Sequence, residues 1–204
     1  INAIQPDVLK KSEARQAIDN EVINKKTEID NNVDATIEEK EAAKSKVDEA
    51  AVEAKNNINH TEINQAVDKA KEDGVTTVSH IQPNIVKKIA AKTAIDEVAR
   101  IKKEAIDQTP GATTEEKEAA KSKVDEAATE ARNNINRALS NNDVDQVVHN
   151  STASINNIQP DIVKKEQAKR GIDTQAKIKK AIIDQIPDAT TEEKEAAKSK
   201  VCLL

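Results

Sequence analysis

The sequence predicts an all-α fold: tandem three-helix bundles stacked end to end into an elongated rod. Three observations carry this. The chain repeats with a period of 77 residues and never slips. Ile4-Gln5-Pro6-Asp7 returns as Ile81-Gln82-Pro83-Asn84 and as Ile158-Gln159-Pro160-Asp161, and the block EEKEAAKSKV starts at Glu38, Glu115 and Glu192. A fixed period well above helix length marks one folded unit used repeatedly. Only three Gly and five Pro fall in 204 residues rich in Ala, Glu, Lys, Gln and Asn, which favours helix almost throughout. Phe, Tyr, Trp and Met are all absent, so a core of Ile, Val, Ala and a few Leu has to be thin, with its helices close together.

These markers set the frame. Residues 1–3 are the end of a preceding repeat, since Ile1 matches Val78 and Ile155. Residues 4–80 form the first three-helix repeat and 81–157 the second. Residues 158–204 form a truncated third, with a first helix and part of a second. In the second repeat, Pro83 suits the first position of a helix that runs to about Asp107. Ala91, Ala94, Ile95, Val98, Ala105 and Ile106 share its inner face. Ile85 and Ile89 point elsewhere and are expected against the preceding repeat. Gln108-Thr109-Pro110-Gly111 breaks the helix. Thr113 with Glu116 three residues on is a capping box that opens the second helix, repeated by Thr36 with Glu39 and Thr190 with Glu193. Ala120, Val124, Ala127, Ala131 and Ile135 give its buried stripe, and it ends near Leu139. Ser140 to Asp143 make the next turn and cap. Val144, Val147, Ser151 and Ile155 line a shorter third helix ending near Asn156.

Three such helices give an up-down-up bundle with long helices of roughly 36 Å. The third ends at the far pole from where the first began, and the next repeat starts after only Ile-Gln-Pro. That predicts end-to-end stacking, with a near-continuous helix kinked at the proline as one form of the junction. The third repeat, without a third helix, is expected to fray or to borrow a partner from a neighbouring molecule. The Cys202-Leu203-Leu204 tail replaces the Asp-Glu-Ala of the other repeats and reads as a scar or truncation.

The composition narrows the function. The net charge is -5 with both signs interspersed, leaving no basic stripe or aromatic platform for nucleic acid. No apolar run approaches the ~20 residues that span a bilayer. The lone Cys202 rules out an internal disulfide framework. His60, His80 and His149 lack ligand spacing and do not recur in register, so they read as solvated. Asp30, Asn32, Asp34, Thr36, Glu38 and Glu41 fall at calcium-loop positions. The required glycine is replaced by Ala35, the second repeat breaks the pattern, and the helix start already uses these residues. Asn59-His60-Thr61 and Asn150-Ser151-Thr152 fit a glycosylation pattern that an Asn-rich chain produces by chance. No nucleophile elbow, phosphate loop or paired catalytic motif occurs. No catalytic, cofactor-binding or metal residue is assigned; no cofactor and no enzyme activity are expected.

The EEKEAAKSKV block admits two readings. One is a multivalent binding face, weak per repeat and strengthened by number. The other, favoured because Lys117, Glu118, Lys121 and Ser122 lack the aromatic or arginine anchors of binding hot spots, is a duplicated helix start.

The motifs from Ala91 to Ile135, followed by Asn141 to Val148, and their counterparts one period away, resemble the helical repeat of unknown function found in tandem arrays of staphylococcal cell-wall-anchored surface proteins of the FmtB and SasC type. The likeness covers essentially the whole chain except Cys-Leu-Leu. It implies an extracellular, wall-attached setting and a stalk behind a distal adhesive domain, with a link to cell aggregation and biofilm accumulation. The partners then expected are adjacent repeats, with a host protein or homotypic cell–cell contact beyond them. The alternative is a three-helix binding module for a host serum or matrix protein. Such a module should keep one exposed face constant, whereas Glu62–His80 shares little with Leu139–Asn157.

Overall fold

The computed structural model describes residues 9–201; the end-of-repeat reading of residues 1–3 and the reading of Cys202-Leu203-Leu204 lie outside them. Among the described residues every regular element is a helix: α1 Leu9–Asp30, α2 Ile37–His60, α3 Asn64–Ser79, α4 Lys87–Asp107, α5 Thr114–Arg137, α6 Asn141–Asn157, α7 Lys164–Asp184 and α8 Thr191–Lys200. The chain divides into two compact units, Ile1–Val98 with Ala127–Ser154, and Ala99–Glu126 with Ile155–Leu204.

In the first unit α1, α2 and α3 all pack on one another. Their shared core holds Ala14, Ile18 and Ile29 of α1, Val47, Ala51, Ala54 and Ile58 of α2, and Val67 and Val78 of α3. The buried residues of α2 follow one another at steps of three or four, so one stripe faces inward along the helix. Each buried Ile or Val contributes about 1.5–3 kcal/mol, and small alanines between them let the helices approach. Gly74 marks the closest approach: a Cβ there would stand 2.6 Å from the Ala54 Cβ and 2.8 Å from the Ile18 Cδ1.

The second repeat keeps the register of the first. Lys26–Asp48 and Lys103–Asp125, one period apart, both close at 2.7 Å. Lys55–Asp19 recurs as Arg132–Asp96. The buried line of α4 is Lys88, Ala91, Ile95, Ala99, Lys102 and Ile106. This corrects the predicted face: Ala94 and Ala105 are exposed and Val98 is half-buried. The predicted face avoids lysine, which is rarely buried, and so drifts toward neighbouring alanines. In α5 the stripe runs Ala120, Val124, Ala128, Ala131 and Ile135, with Ala128 in place of the half-buried Ala127. Val144 and Ile155 of α6 are buried as expected, while Val147 and Ser151 are half-buried.

The junction differs from its prediction. Pro83 does not start a helix, and no helix continues through it. α3 ends at Ser79, α4 begins at Lys87, and Pro83 is buried in the non-helical stretch between them. Ile89, expected against the preceding repeat, is 59% exposed. The physical reason is that the backbone N–H groups of Val86 and Lys87 are held by a carboxylate of the preceding repeat.

Candidate functional site at the repeat junction

Three segments of the first unit meet around Glu39: the α1–α2 loop, the Ile81–Val86 connection and the α5–α6 loop. Thr36 caps α2 and its hydroxyl accepts from the Glu39 backbone N–H at 3.3 Å. The Glu39 carboxylate returns the bond, accepting from the Thr36 N–H at 3.0 Å through Oε2. Its other oxygen leaves the repeat. Oε1 accepts from the backbone N–H groups of Val86 and Lys87, both at 2.9 Å. A helix begins with N–H groups that have no partner within it. The first turn of α4 contains no acidic residue to complement its dipole. Glu39 supplies both the acceptor and the charge, and this fixes the start of α4 at Lys87, past the proline.

The arrangement recurs one period on. Glu116 Oε2 accepts from Thr113 N at 2.8 Å, and Oε1 accepts from Val163 N at 2.8 Å and Lys164 N at 2.9 Å. At the third copy Glu193 holds only its own box with Thr190. The carboxyl acidities follow these bonds. The Glu116 carboxyl falls from its ordinary value of 4.5 to about 2, held by the N–H groups of Lys164, Thr113 and Val163. For Glu39, burial works upward, but the N–H groups of Thr36, Lys87 and Val86 outweigh it and the net shift is down. Glu193 is lowered by Thr190 alone, through its backbone and its hydroxyl.

Other residues of the constant block are also engaged. Glu38 accepts from the Asn141 N–H at 2.9 Å, at the start of α6 in the next repeat. Thr36 Oγ1 donates to Asn141 Oδ1 at 2.8 Å, and Ile37 N donates to Leu139 O at 2.8 Å. Lys40 donates to the Asp30 carbonyl at 2.9 Å and closes the end of α1; Lys117 does the same at Asp107 at 2.7 Å. Lys44 is shared by Glu41 and Asp30, a triad repeated by Lys121 and Lys198, and these partners raise all three lysines. In the first two copies the block thus closes a loop and joins two repeats.

Sequence reasoning missed the buried lysines. Lys88 is 3% exposed; its Nζ donates to the Val33 carbonyl in the preceding repeat at 3.0 Å and to Asn136 O at 2.9 Å. Burial lowers its pKa. Lys102 donates to Asn156 O at 2.7 Å, in the last turn of α6. Each places a cation on carbonyls at a helix end, where the dipole favours it. The signal was in the sequence: both lysines sit on the period of the apolar stripe.

The calcium-pattern residues are committed elsewhere. Asn32 Oδ1 accepts from Asp34 N and Ala35 N, Thr36 and Glu38 hold the joint, and Asp30 and Glu41 pair with Lys44. Gly111, at φ +84°, makes the corresponding turn in the second repeat, a conformation that glycine adopts without strain. Among the described residues no group of three or more His, Cys, Asp or Glu is placed to hold a metal. His60 and His80 each bond the carbonyl four residues earlier. No helix among them is long and apolar enough to cross a membrane. A pocket of about 300 Å³ opens beside the joint, lined by Glu38, Glu39, Lys46, Gln82, Asn84 and Asn141. Both of its carboxylates accept backbone N–H groups.

The family profile described as Domain of Unknown Function (DUF1542) matches residues 10–86, 87–163 and 164–202. The Extracellular matrix-binding protein EbhA of Staphylococcus aureus strain Newman is 30% identical over 191 residues, which is 94% of this chain and 6% of that protein. The Extracellular matrix-binding protein ebh of strain USA300 / TCH1516 is 31% identical over 193 residues, 94% of this chain and 2% of that protein. This chain thus spans only a small fraction of the length of these relatives. The staphylococcal surface-repeat resemblance read from the motifs agrees with these matches. No solved structure matches the chain.

Proposed function

We infer that this chain, which belongs to the DUF1542 family, is a spacer: a run of joined helical repeats that sets the distance between a bacterial surface and a distal adhesive region. It is a surface-protein repeat, and its setting is extracellular, on the bacterial cell wall. The observation that carries the spacer reading is the shared carboxylate. Glu39 and Glu116 each cap a helix in their own repeat and a helix in the next. A joint written into the repeat itself lets length grow by adding units, with each unit stabilised by its neighbours. The role is mechanical and calls for no catalytic group.

The relatives' names favour a second reading, in which the repeats themselves hold a host matrix protein. The glutamates that open the block, Glu39 and Glu116, are engaged with backbone N–H groups at the joints, which favours the spacer.

Small-angle X-ray scattering on the 204-residue chain tests the proposal. A spacer is expected to give a radius of gyration of about 30 Å, the value for a rod roughly 100 Å long built of helices rising 1.5 Å per residue. A value of about 17 Å, that of a compact chain of this length, would overturn it. Specific nanomolar capture of a serum or matrix protein by the two complete repeats would establish the binding module instead.

A further inference from the structure

The face where α1 lies against α2 carries an apolar centre inside a frame of charge. Lys26 of α1 pairs with Asp48 of α2 at 2.7 Å, and seven residues away along each helix Asp19 of α1 pairs with Lys55 of α2. Ile23 and Val52 lie between these two levels. Ile23 is three residues before Lys26 and four after Asp19; Val52 is four after Asp48 and three before Lys55. Such spacings place neighbours on one side of a helix. Ile23 is 64% exposed and Val52 60% exposed. A shallow depression of about 480 Å³ runs along α2 beside Val52, lined also by Ser45, Asp48, Glu49 and Asn56. The second repeat keeps the frame and changes the centre. Lys103–Asp125 and Arg132–Asp96 stand at the corresponding places, but Arg100 and Thr129 replace Ile23 and Val52. Arg100 is held by Glu104 of its own helix. Thr129 is exposed too, so this face stays open in a repeat that follows a complete one.

Charge selects the occupant. Seen face on, Lys26 and Asp48 stand at one end and Asp19 and Lys55 at the other, with like signs on the diagonals. A partner of uniform charge is repelled at two of the four corners. A second copy, turned about a two-fold axis in the plane of the face, is repelled at none. With the axis along the helices, Lys26 comes over the copy's Asp48 and Lys55 over its Asp19. With the axis across them, Lys26 comes over Asp19 and Lys55 over Asp48. Either way the apolar centre of one copy covers that of the other, the self-complementary arrangement of a two-fold contact. We propose that the α1–α2 face of the first repeat is an interaction surface for a second copy of this chain, laid face to face upon it. The apolar centre supplies the affinity, because exposed ion pairs contribute little by themselves. The charges set the register and exclude other partners. Since the second repeat has polar residues at the centre, the first repeat of one chain selects the first repeat of the other. Two chains held in this way are joined laterally through matching repeats. This holds whether or not the array is a spacer.

Sedimentation equilibrium of the 204-residue chain over a range of concentrations tests this. A reversible dimer is expected. Ile23→Arg with Val52→Thr installs the residues that the second repeat carries at the same places, so the fold is kept, and the melting curve of the variant checks this. The double substitution is expected to weaken the dimer at least about tenfold, as two apolar side chains lose their cover. Monomers at every concentration overturn the proposal and leave the face to a partner of another kind. A dimer of equal strength in the double variant overturns it as well. Lys26→Asp with Asp48→Lys reverses one end of the frame while keeping an ion pair within the chain. Mixed with a trace of fluorescently labelled parent chain, this variant is expected to pair less tightly than unlabelled parent chain does. Equal pairing would show that the charges do not choose the partner, and overturns a second copy as the occupant.

Discussion

Glu116 and Glu39 do with one carboxylate what most helices do with a residue of their own. The acidity of Glu116 turns this into a pH prediction. Its carboxyl lies at about 2 in the folded chain against an ordinary 4.5, a depressed value. The ionised form is the one the fold prefers. Its contribution is fully present above pH 4.5 and disappears as the pH falls through about 2. Glu116→Gln keeps an acceptor oxygen but loses the charge. The variant is expected to have a lower urea midpoint than the parent chain at pH 6. That gap should shrink steadily below pH 4.5 and close near 2. A gap that stays constant across this range would mean that charge plays no part in the joint. The residue scale is also where the sequence was hardest to read. The capping box was visible in the pattern of Thr and Glu. The second half of each glutamate's work was not, because the N–H groups it receives lie 47 and 48 residues further on. Local spacing rules reach three or four residues, and a bond of this range appears only when the loops meet.

At the scale of the helix, close packing and open space predict opposite outcomes for the same change. Gly74→Ala is expected to destabilise the first repeat by about 1–3 kcal/mol, because its new methyl would overlap Ala54 and Ile18. Gly171→Ala, with nothing within 4 Å, should stabilise α7 by about 0.5–1 kcal/mol through helix propensity. Thermal melts followed by circular dichroism separate the two, and a shift of the same sign in both would refute the packing described here. Val124, fully buried in α5, gives a third case. Val124→Asp is expected to cost several kcal/mol by placing an unpaired charge in an apolar stripe. A silent substitution would mean that α5 presents another face. The existence of every helix was legible from the period and the caps. The face of α4 was not, since Lys88 and Lys102 occupy core positions that a hydrophobic pattern assigns to apolar residues. Their amino groups reach carbonyls at helix ends, and only the long lysine stem lets a charged residue do this from inside the stripe.

For the whole molecule, the joints decide whether the repeats melt together or apart. Glu39→Gln combined with Glu116→Gln leaves each core untouched and weakens only what passes between repeats and the start of each second helix. The expected result is a broader calorimetric transition with a reduced van't Hoff enthalpy, as coupling between neighbouring units falls. An unchanged, equally sharp transition would place the coupling elsewhere. Here the sequence was informative for a simple reason: a repeat compared with itself shows which residues are kept without any other protein. The constant EEKEAAKSKV block was visible at once. Its purpose was not, because its polar side chains resembled an ordinary solvated face until their partners in loops and neighbouring helices were known.

The shared cap also gives the chain a direction. Each glutamate serves the helix that follows it in sequence, and no later repeat offers the same cap to an earlier one. During synthesis the amino-terminal repeat is made first, so every new repeat emerges beside a finished acceptor waiting for its first turn. Assembly is therefore expected to run from the amino-terminal repeat onward. Damage to a joint should be felt on both sides of it, at the capping box of its own repeat and at the first turn of the helix that follows.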